Sequence, residues 1–295
     1  MKSDLHLHST ASDGADSPTR VVELAVEEGL EGIALTDHDT LAGVSEARAA
    51  ADRVGVAFIP GVELSVDHDG TKMHMLVYGI EPERGPLQDR LADLREGRTA
   101  RNDRIVEALQ AMGYDISMAD VREHAQGPSV GRPHIADALV AKGYLKTRDE
   151  AFEHLLHDGG AAYFPRARLT ATEAIELGRA SGGVPVIAHP KTISLRSDSY
   201  VEAFSGLAAL GLGGIEAHHP MHDPDLRSHL EELARGLSLI ATGGSDYHGM
   251  TKRPYRVGIG TGDLKVPSRA FEAVASDIRR TSSPPRRSLR YKLQR

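Results

Sequence analysis

The 295-residue sequence contains no cysteine and no tryptophan, and aromatic residues make up only 4% of it. The absence of cysteine excludes disulfide bonds and thiolate metal sites, and by itself leaves the cellular compartment open. Because aromatic side chains are so few, we expect a core of valine, isoleucine, leucine and alanine. The same scarcity leaves few rings on which nucleic-acid bases could stack.

The sequence also lacks a long apolar run and an excess of basic residues. No stretch reaches the roughly 18 uninterrupted apolar residues of a membrane span, and the N-terminus has no apolar signal core. Lysine and arginine number 35 against 42 aspartate and glutamate, giving a net charge of −7. This balance argues against a surface that coats long nucleic acid. We therefore expect a soluble, cytoplasmic monomer without a membrane or long nucleic-acid partner.

Histidine is the unusual residue type, with 15 copies. Residues 3–9 (SDLHLHS) alternate apolar and polar side chains, which predicts a short strand. His6 and His8 then point to the same side of the strand, close enough to bind one divalent metal. Taken alone, the pair could equally be the polar face of a strand.

Predicted strands and helices alternate at both ends of the chain, the pattern of a parallel sheet or barrel with its chemistry at the carboxyl ends of the strands. The apolar runs predict strands at residues 3–9, 32–36, 57–63, 72–80, 184–188, 214–217 and 238–242. The capping and periodicity signals predict helices at residues 18–28, 41–54, 170–181, 198–210, 223–235 and 268–279.

The alternation breaks between residues 85 and 160, where the sequence is polar and helical. Ser117, Gly131 and Thr147 are predicted to start short helices there. We interpret this segment as a helical insertion, a lid or substrate wall, on a barrel formed by residues 1–84 and 161–280. A purely structural helical bundle is the alternative. Residues 281–295, rich in serine, proline and arginine, are predicted to be disordered.

Metal-binding residue types gather at the predicted strand ends. Neutral imidazoles and carboxylates suit Zn, Mn or Fe(II), and the set exceeds what one ion can use, which favours two or three ions bridged by a carboxylate. Singly, each residue has an ordinary explanation as a turn, strand-face or helix-entry residue. Glu63 is the exception, because an unpaired carboxylate in an apolar strand is costly to desolvate. The set comprises His6, His8, Asp13, His38, Glu63, His74, His189, His219, Asp246 and His248.

The sequence resembles the PHP (polymerase and histidinol phosphatase) phosphoesterases in five motifs spanning residues 4–248: DLHLHS, TDH, PGVE, AHP and SDYH, in that order. The resemblance implies an α/β fold, a distorted TIM-like (β/α)7 barrel, with a three-metal site. One metal would be held by His6, His8, Glu63 and Asp246. Glu63 would bridge to a second, held by His74 and His189. The third would be held by Asp13, His38 and His248.

The chemistry expected at such a site is phosphoester hydrolysis by a metal-bound hydroxide. Asp13, His38 and His248 are the candidate proton-transfer groups beside the bridging Glu63. We expect two or three divalent ions per chain, with manganese favoured and iron or zinc as alternatives, since all three suit these ligands.

Within the family, the motif GRPHIA at residues 131–136 resembles the branch that acts on nucleotides, which includes 3′,5′-nucleoside bisphosphate phosphatases and a 5′-to-3′ exoribonuclease. Arg132 could bind a phosphate through its planar guanidinium. The spacing of Arg98 and Arg101, or of Arg101 and Arg104, lets each pair share one face of a helix, where they could contact the substrate. The alternative is an ordinary solvated helix surface. The predicted substrate contacts are Arg101, Asn102, Arg132, His134, His219 and His222.

Three functions follow from these residues. The first is a metal-dependent phosphatase acting on 3′,5′-nucleoside bisphosphates or nucleoside monophosphates. The second is a 5′-to-3′ exoribonuclease acting on short oligonucleotides. The third is a non-catalytic metal- or nucleotide-binding protein, which is disfavoured because no expected ligand is missing and because a structural zinc site would be closed and four-coordinate.

Overall fold

The computed structural model describes residues 1–83, 85–125, 130–165, 167–196, 199–250 and 254–281. Within these residues, eight strands form one curled sheet in the order β1-β2-β3-β4-β6-β7-β8, with the short β5 paired to β3. The strands are β1 Ser3–Leu7, β2 Gly32–Leu35, β3 Ala57–His68, β4 Thr71–Tyr78, β5 Leu169–Thr170, β6 Val184–Ile187, β7 Gly214–His218 and β8 Ile240–Gly243.

Ten α-helices accompany the sheet in the same described ranges. They are α1 Pro18–Glu27, α2 Val44–Val54, α3 Pro86–Ala111, α4 Met118–Glu123, α5 Arg132–Ala141, α6 Arg148–Ala151, α7 Ala171–Ala180, α8 Tyr200–Ala209, α9 Pro224–Gly236 and α10 Ser268–Thr281. Ser17 and Asp223 cap α1 and α9 through side-chain hydrogen bonds, and each cap is followed directly by proline, as helix starts favour. The predicted alternation is therefore present in β1–α1–β2–α2–β3 and in β6–α8–β7–α9–β8.

The fourth strand departs from the predicted parallel pattern. β3 and β4 form an antiparallel hairpin, and β4 is also antiparallel to β6. Only Asp69 and Gly70 separate the two strands, and both have a left-handed backbone (φ 50° and 79°). Two residues allow a hairpin and are far too few for the crossover that parallel strands need. As a result β3 continues to His68, and Glu63 lies inside the strand rather than at its end.

Contacts between β1 and the segment after β8 bring the two ends of the sheet together. Leu7 forms a parallel bridge with Tyr247, and the backbone N–H of His8 donates to the Tyr247 carbonyl at 3.0 Å. Gly244 permits this approach, because a Cβ there would overlap His6. The sheet therefore curls towards a barrel, as predicted.

Helix α3 is shared by two apolar clusters. Its first half carries Leu87 and Leu91 into the core between the sheet and the outer helices. Its second half carries Ile105 and Leu109 into a separate cluster formed with α4, α5 and the residues up to 162. Ser117, Gly131 and Thr147 are the N-cap residues of α4, α5 and α6.

The role of this helical segment as a lid or wall stays a prediction. The predicted disordered tail, apart from Thr281, lies outside the described residues. None of the helices in the described ranges is long and apolar enough to cross a membrane.

Candidate metal centre

The side chains of the predicted metal site converge at one end of the curled sheet. His6 lies in β1, and His8 follows it by two residues, so both rings face the same side. His38 follows β2, His74 lies in β4, and Asp246 follows β8. His189 follows β6, and Asp13 and His248 complete the set from the loops after β1 and β8.

Backbone strain is concentrated at this end of the sheet. Among the described non-glycine residues, five have positive φ, and three of them belong to or flank the centre: Asp39 (51°), His189 (25°) and Asp246 (52°). Such conformations cost about 1–3 kcal/mol each and persist where the surrounding structure enforces them. The surrounding residues therefore hold the backbone of these three positions in an unfavourable conformation.

Within the described part of the chain, three groups of potential ligand atoms lie within reach of single ions. They are His6, His8, Glu63 and Asp246; His8, Asp13, His38 and His248; and His38, Glu63 and His74. The first group equals the set predicted for one metal. The second adds His8 to the predicted third set. The third group differs from the predicted second set, because it contains His38 in place of His189 beside Glu63 and His74. His189 is nevertheless close, with its Nε2 2.9 Å from Oε1 of Glu63.

Glu63 is the centre of the arrangement. Its Oε1 lies 2.9 Å from Nδ1 of His74 and 2.9 Å from Nε2 of His189. Its Oε2 lies 3.3 Å from Nε2 of His6, 3.1 Å from Nε2 of His8 and 3.1 Å from Nδ1 of His38. Five imidazoles thus surround one fully buried carboxylate.

The spacing of these atoms fits divalent metals. Oε2 of Glu63 and the three nitrogens around it are buried and have no hydrogen-bond partner. Donor atoms about 2.1 Å from one ion, at angles of about 90–110°, lie about 3.0–3.4 Å from each other. The observed separations of 3.1–3.3 Å match this range. These separations therefore fit ligands of shared ions, with His6 and His8 in one group around Glu63 and His38 in another.

The electrostatics of the metal-free centre differ from ring to ring. Burial lowers the pKa of His38 to about 3, which keeps that imidazole neutral. Burial also acts to lower the pKa of His8, but Asp246 and Glu63 overcome it and raise the pKa to about 9. For His6, Glu216, Glu63 and Asp246 likewise outweigh burial, and its pKa lies well above the ordinary value. Metal ions would take the place of these protons, since imidazole binds metals in its neutral form.

Four buried carboxylates behind the predicted ligands were missed from the sequence: Asp4, Asp37, Asp39 and Glu216. Asp4 accepts hydrogen bonds from the backbone N–H groups of Ser245 (2.9 Å) and Gly258 (2.7 Å). Asp39 accepts from the Ser65 N–H and pairs with Arg98 at 2.8 Å. A signal was available for Glu216, because it lies inside an apolar strand, where a carboxylate needs partners.

Two clefts meet at His38 and His74. The first, here called the metal cleft, has a volume of about 580 Å³ and is also lined by Glu63, His189 and Asp246, together with Met73, Met221 and Tyr255. The second, here called the arginine cleft, measures about 310 Å³. Among the described residues, four arginines and two aspartates line it: Arg98, Arg101, Arg132 and Arg168, with Asp13 and Asp39.

The predicted substrate contacts separate into two sets. Arg101, Arg132 and His134 line the arginine cleft. Arg132 also donates to the Leu156 carbonyl at 2.8 Å and to Asp158 at 3.1 Å, and Asp158 in turn pairs with Lys72.

The other three predicted contacts are not among the residues lining either cleft. Asn102 is buried and donates to the Val130 carbonyl at 3.0 Å. His219 is fully buried, with Nε2 3.4 Å from Asp246. His222 is buried with Nδ1 2.9 Å from the Ala217 carbonyl, and burial lowers its pKa to about 4.

Comparison with known proteins agrees with this geometry. The family model of the PHP domain matches residues 4–157. The chain belongs to this family. A "Phosphoribosyl 1,2-cyclic phosphate 1,2-diphosphodiesterase" of Eggerthella lenta is 35% identical over 88% of this chain and 98% of the relative.

Two further relatives carry the activities expected from the sequence. A "5'-3' exoribonuclease" of Haemophilus influenzae is 33% identical over 84% of this chain and 90% of the relative. A "3',5'-nucleoside bisphosphate phosphatase" of Chromobacterium violaceum is 33% identical over 83% of this chain and 86% of the relative.

A solved structure from Bifidobacterium adolescentis, described as a metal-dependent phosphoesterase, superimposes with a TM-score of 0.79. It is 33% identical and covers 93% of this chain and 96% of its own. The predicted fold class is confirmed, and this PHP protein is a phosphoesterase, a hydrolase of phosphoric esters. The individual metal and substrate contacts stay predictions.

Proposed function

We propose that this PHP protein hydrolyses one phosphate ester of a small molecule that carries two phosphate groups, with a 3′,5′-nucleoside bisphosphate as the favoured substrate. The reacting phosphate would lie at the metal centre and the second phosphate in the arginine cleft. The observation that carries the proposal is the continuity of the two clefts, which share His38 and His74.

The charge of the arginine cleft supports a second anion. Among the described residues its lining contains four arginines and two aspartates, and Arg98 is paired with one of these, Asp39. The planar guanidinium of arginine binds phosphate through two parallel hydrogen bonds. Two relatives also have names that describe substrates with two phosphate groups, the bisphosphate phosphatase and the phosphoribosyl cyclic phosphate diesterase.

Divalent ions held by the three ligand groups would supply the Lewis acidity and water activation that phosphoester hydrolysis requires. The chain's own contribution is positioning. Glu63 holds five imidazoles around one point, and the strained His189 and Asp246 are fixed by their neighbours. Asp13, whose side chain is half exposed and lies 3.3 Å from Nε2 of His248, is the proposed proton-transfer group nearest to solvent.

A second candidate, 5′-to-3′ exoribonuclease activity on short RNA, is favoured by the rings in the arginine cleft. Phe152 and Tyr163 line it, and the guanidinium of Arg132 lies 5.8 Å and 5.3 Å from their ring centres. Aromatic rings beside arginines bind single-stranded nucleic acid by stacking and charge. A terminal nucleotide would then occupy the place of the second phosphate.

The test is phosphate release, with added Mn²⁺, from a nucleoside 3′,5′-bisphosphate, a 5′-monophosphate, a phosphoribosyl cyclic phosphate and a short 5′-phosphorylated RNA. The variant is Arg132→Met. The matched control is Arg148→Met, which removes an arginine of the same helical segment whose side chain is 54% exposed and paired with Asp137.

We expect the Arg132 variant to raise the KM for the bisphosphate about 10- to 100-fold, the effect of losing a charge-assisted hydrogen bond. The monophosphate KM and the control variant should be unchanged. Equal hydrolysis of mono- and bisphosphate, unaffected by the Arg132 change, would overturn the second-phosphate assignment. Stepwise mononucleotide release from RNA, with the bisphosphate inert, would establish the exoribonuclease instead.

A further inference from the structure

A fully buried carboxylate connects two of the predicted metal ligands from behind. Glu216 lies in β7 between the apolar Ile215 and Ala217, with no exposed surface. Its Oε1 lies 2.9 Å from Nδ1 of His6, and its Oε2 accepts from the backbone N–H of His189 at 2.7 Å. A buried carboxylate persists only where it is well satisfied, and here both oxygens are used.

The contact with His6 selects one form of that ring. An ionised carboxylate can only accept, so the proton of a neutral His6 must sit on Nδ1. The unprotonated Nε2 then faces Oε2 of Glu63 at 3.3 Å and Oδ1 of Asp246 at 3.6 Å. Because Glu63 and Asp246 belong to the same ligand group as His6, Nε2 is the nitrogen that faces the predicted metal position.

The contact with His189 holds a strained backbone. His189 has φ 25°, a conformation that costs about 1–3 kcal/mol and needs support. The Glu216 oxygen binds its N–H, while the side chain is fixed between Thr192 (2.8 Å at Nδ1) and Glu63 (2.9 Å at Nε2). A released backbone at this position would move the ring away from Glu63.

We propose that Glu216 is a positioning residue of the metal centre, which sets the metal-binding nitrogen of His6 and the backbone of His189 at the same time. Carboxylates behind metal-binding histidines commonly act in this way, and their loss costs about 10- to 100-fold in metal affinity. The proposal concerns metal binding, so it does not depend on which phosphate ester is the substrate.

The isosteric Glu216→Gln variant separates this role from packing. Both partners of Glu216 are donors, and glutamine offers only one accepting atom beside its NH₂ group. The variant must therefore either leave the His189 N–H facing a donor or donate to Nδ1 of His6. In the second case the ring proton moves to Nε2, the nitrogen that should bind metal.

Asp37→Asn is the matched control. Asp37 is equally buried beside the metal centre, and it accepts from the Ser9 N–H (2.8 Å) and from the hydroxyls of Ser9 (2.7 Å) and Ser12 (2.5 Å). Asparagine can keep these contacts, because a hydroxyl can rotate to accept from the new NH₂ group. Both variants remove a buried charge. Only at Glu216 are both partners N–H groups, which cannot rotate to accept a hydrogen bond from the new NH₂ group.

The experiment is an Mn²⁺ titration of the metal-free full-length protein, with bound metal measured by equilibrium dialysis. We expect Glu216→Gln to weaken about 10- to 100-fold the sites that use His6 or His189. The group of Asp13, His38 and His248 does not contact Glu216 and should keep its affinity. Asp37→Asn should bind within about threefold of the original protein. Unchanged affinity in Glu216→Gln, or an equal loss in both variants, would overturn the proposal.

A second measurement uses the unmodified protein and decides the matter if the glutamine variant does not fold. The ¹⁵N spectrum of the imidazoles in the Zn²⁺-loaded protein should show His6 protonated at Nδ1, with a slowly exchanging proton. Protonation at Nε2 instead would refute the assignment. Neither measurement involves a substrate, so failure of the proposed function and failure of this inference remain distinguishable.

Discussion

Metal binding by the metal-free protein should tighten as the pH rises towards about 9, because an ion must displace a proton from His8. Nε2 of His8 lies 3.1 Å from Oε2 of Glu63 and 3.4 Å from Oδ1 of Asp246. Burial opposes protonation, but these two carboxylates outweigh it and raise the pKa to about 9. At pH 7 about 99% of His8 is then protonated, which lowers the apparent metal affinity about 100-fold, or about 2.7 kcal/mol.

The stability of the metal-free protein should change in the opposite direction. A pKa that folding raises from 6.5 to about 9 contributes stability that is fully present below pH 6.5 and is lost as the pH rises through 9. The difference between the two pKa values corresponds to about 3 kcal/mol. Raising the pH from 6.5 to 9 should therefore weaken the metal-free fold while it strengthens metal binding.

The assay is calorimetric Mn²⁺ titration of chelator-treated protein at pH 6.5, 7.5 and 8.5, in two buffers with different ionisation enthalpies. Affinity should rise about 10-fold per pH unit for each displaced proton, and the buffer dependence should report proton release. Urea unfolding of the metal-free protein tests the stability trend. The control is His154→Asn, which removes an exposed histidine of the helical segment and should leave both trends intact. A constant affinity between pH 6.5 and 8.5, without proton release, would refute the reasoning.

Two further predictions concern single side chains. Glu63→Gln should lower the rate of phosphate release at least about 100-fold, with the fold retained by circular dichroism. Loss of a carboxylate that only supports a metal ligand already lowers activity up to about 100-fold, and Glu63 is predicted to bind the metals directly. A rate above a tenth of the original would contradict the central role of Glu63. Arg98→Met should cost about 3–5 kcal/mol in urea unfolding, since it leaves the carboxylate of Asp39 buried without its 2.8 Å partner. A cost below about 1 kcal/mol, or no recovery on adding Asp39→Asn, would argue against this ion pair.

Much of the clustering of potential metal ligands could be predicted from the sequence because the parallel strands end at one edge. His6, His38, His189 and Asp246 belong to or follow separate strands, and placing chemistry at strand ends was enough to gather them. The cost of burying a carboxylate in an apolar strand identified Glu63. The same reasoning applies to Glu216, within Gly214–His218, but His219 and His222, which follow that strand, were assigned as substrate contacts and Glu216 was given no role.

Of the features that sequence reasoning missed, one had a local signal and the others depend on contacts between distant segments. The hairpin of β3 and β4 had a local signal in Asp69-Gly70, but the surrounding alternation outweighed it. Arg132 donates to Leu156 and Asp158, which lie more than 20 residues further along the chain. The arginine cleft likewise draws on α3, α5 and the residues before β5, so its composition depends on how these segments pack.

The length of helix α3 has a consequence for the substrate proposed above. Its 26 residues span about 39 Å, and its two ends are anchored in different apolar clusters. Arg98 and Arg101 lie near its middle, where Arg98 also reaches Asp39 beside the metal centre. Under the proposed function, a helix anchored at both ends would keep the distance from these guanidinium groups to the reacting phosphate nearly constant. Helix α3 would then act as a fixed spacer, and a molecule whose two anionic groups are too close together or too far apart would not reach the metal centre and the arginine cleft at once.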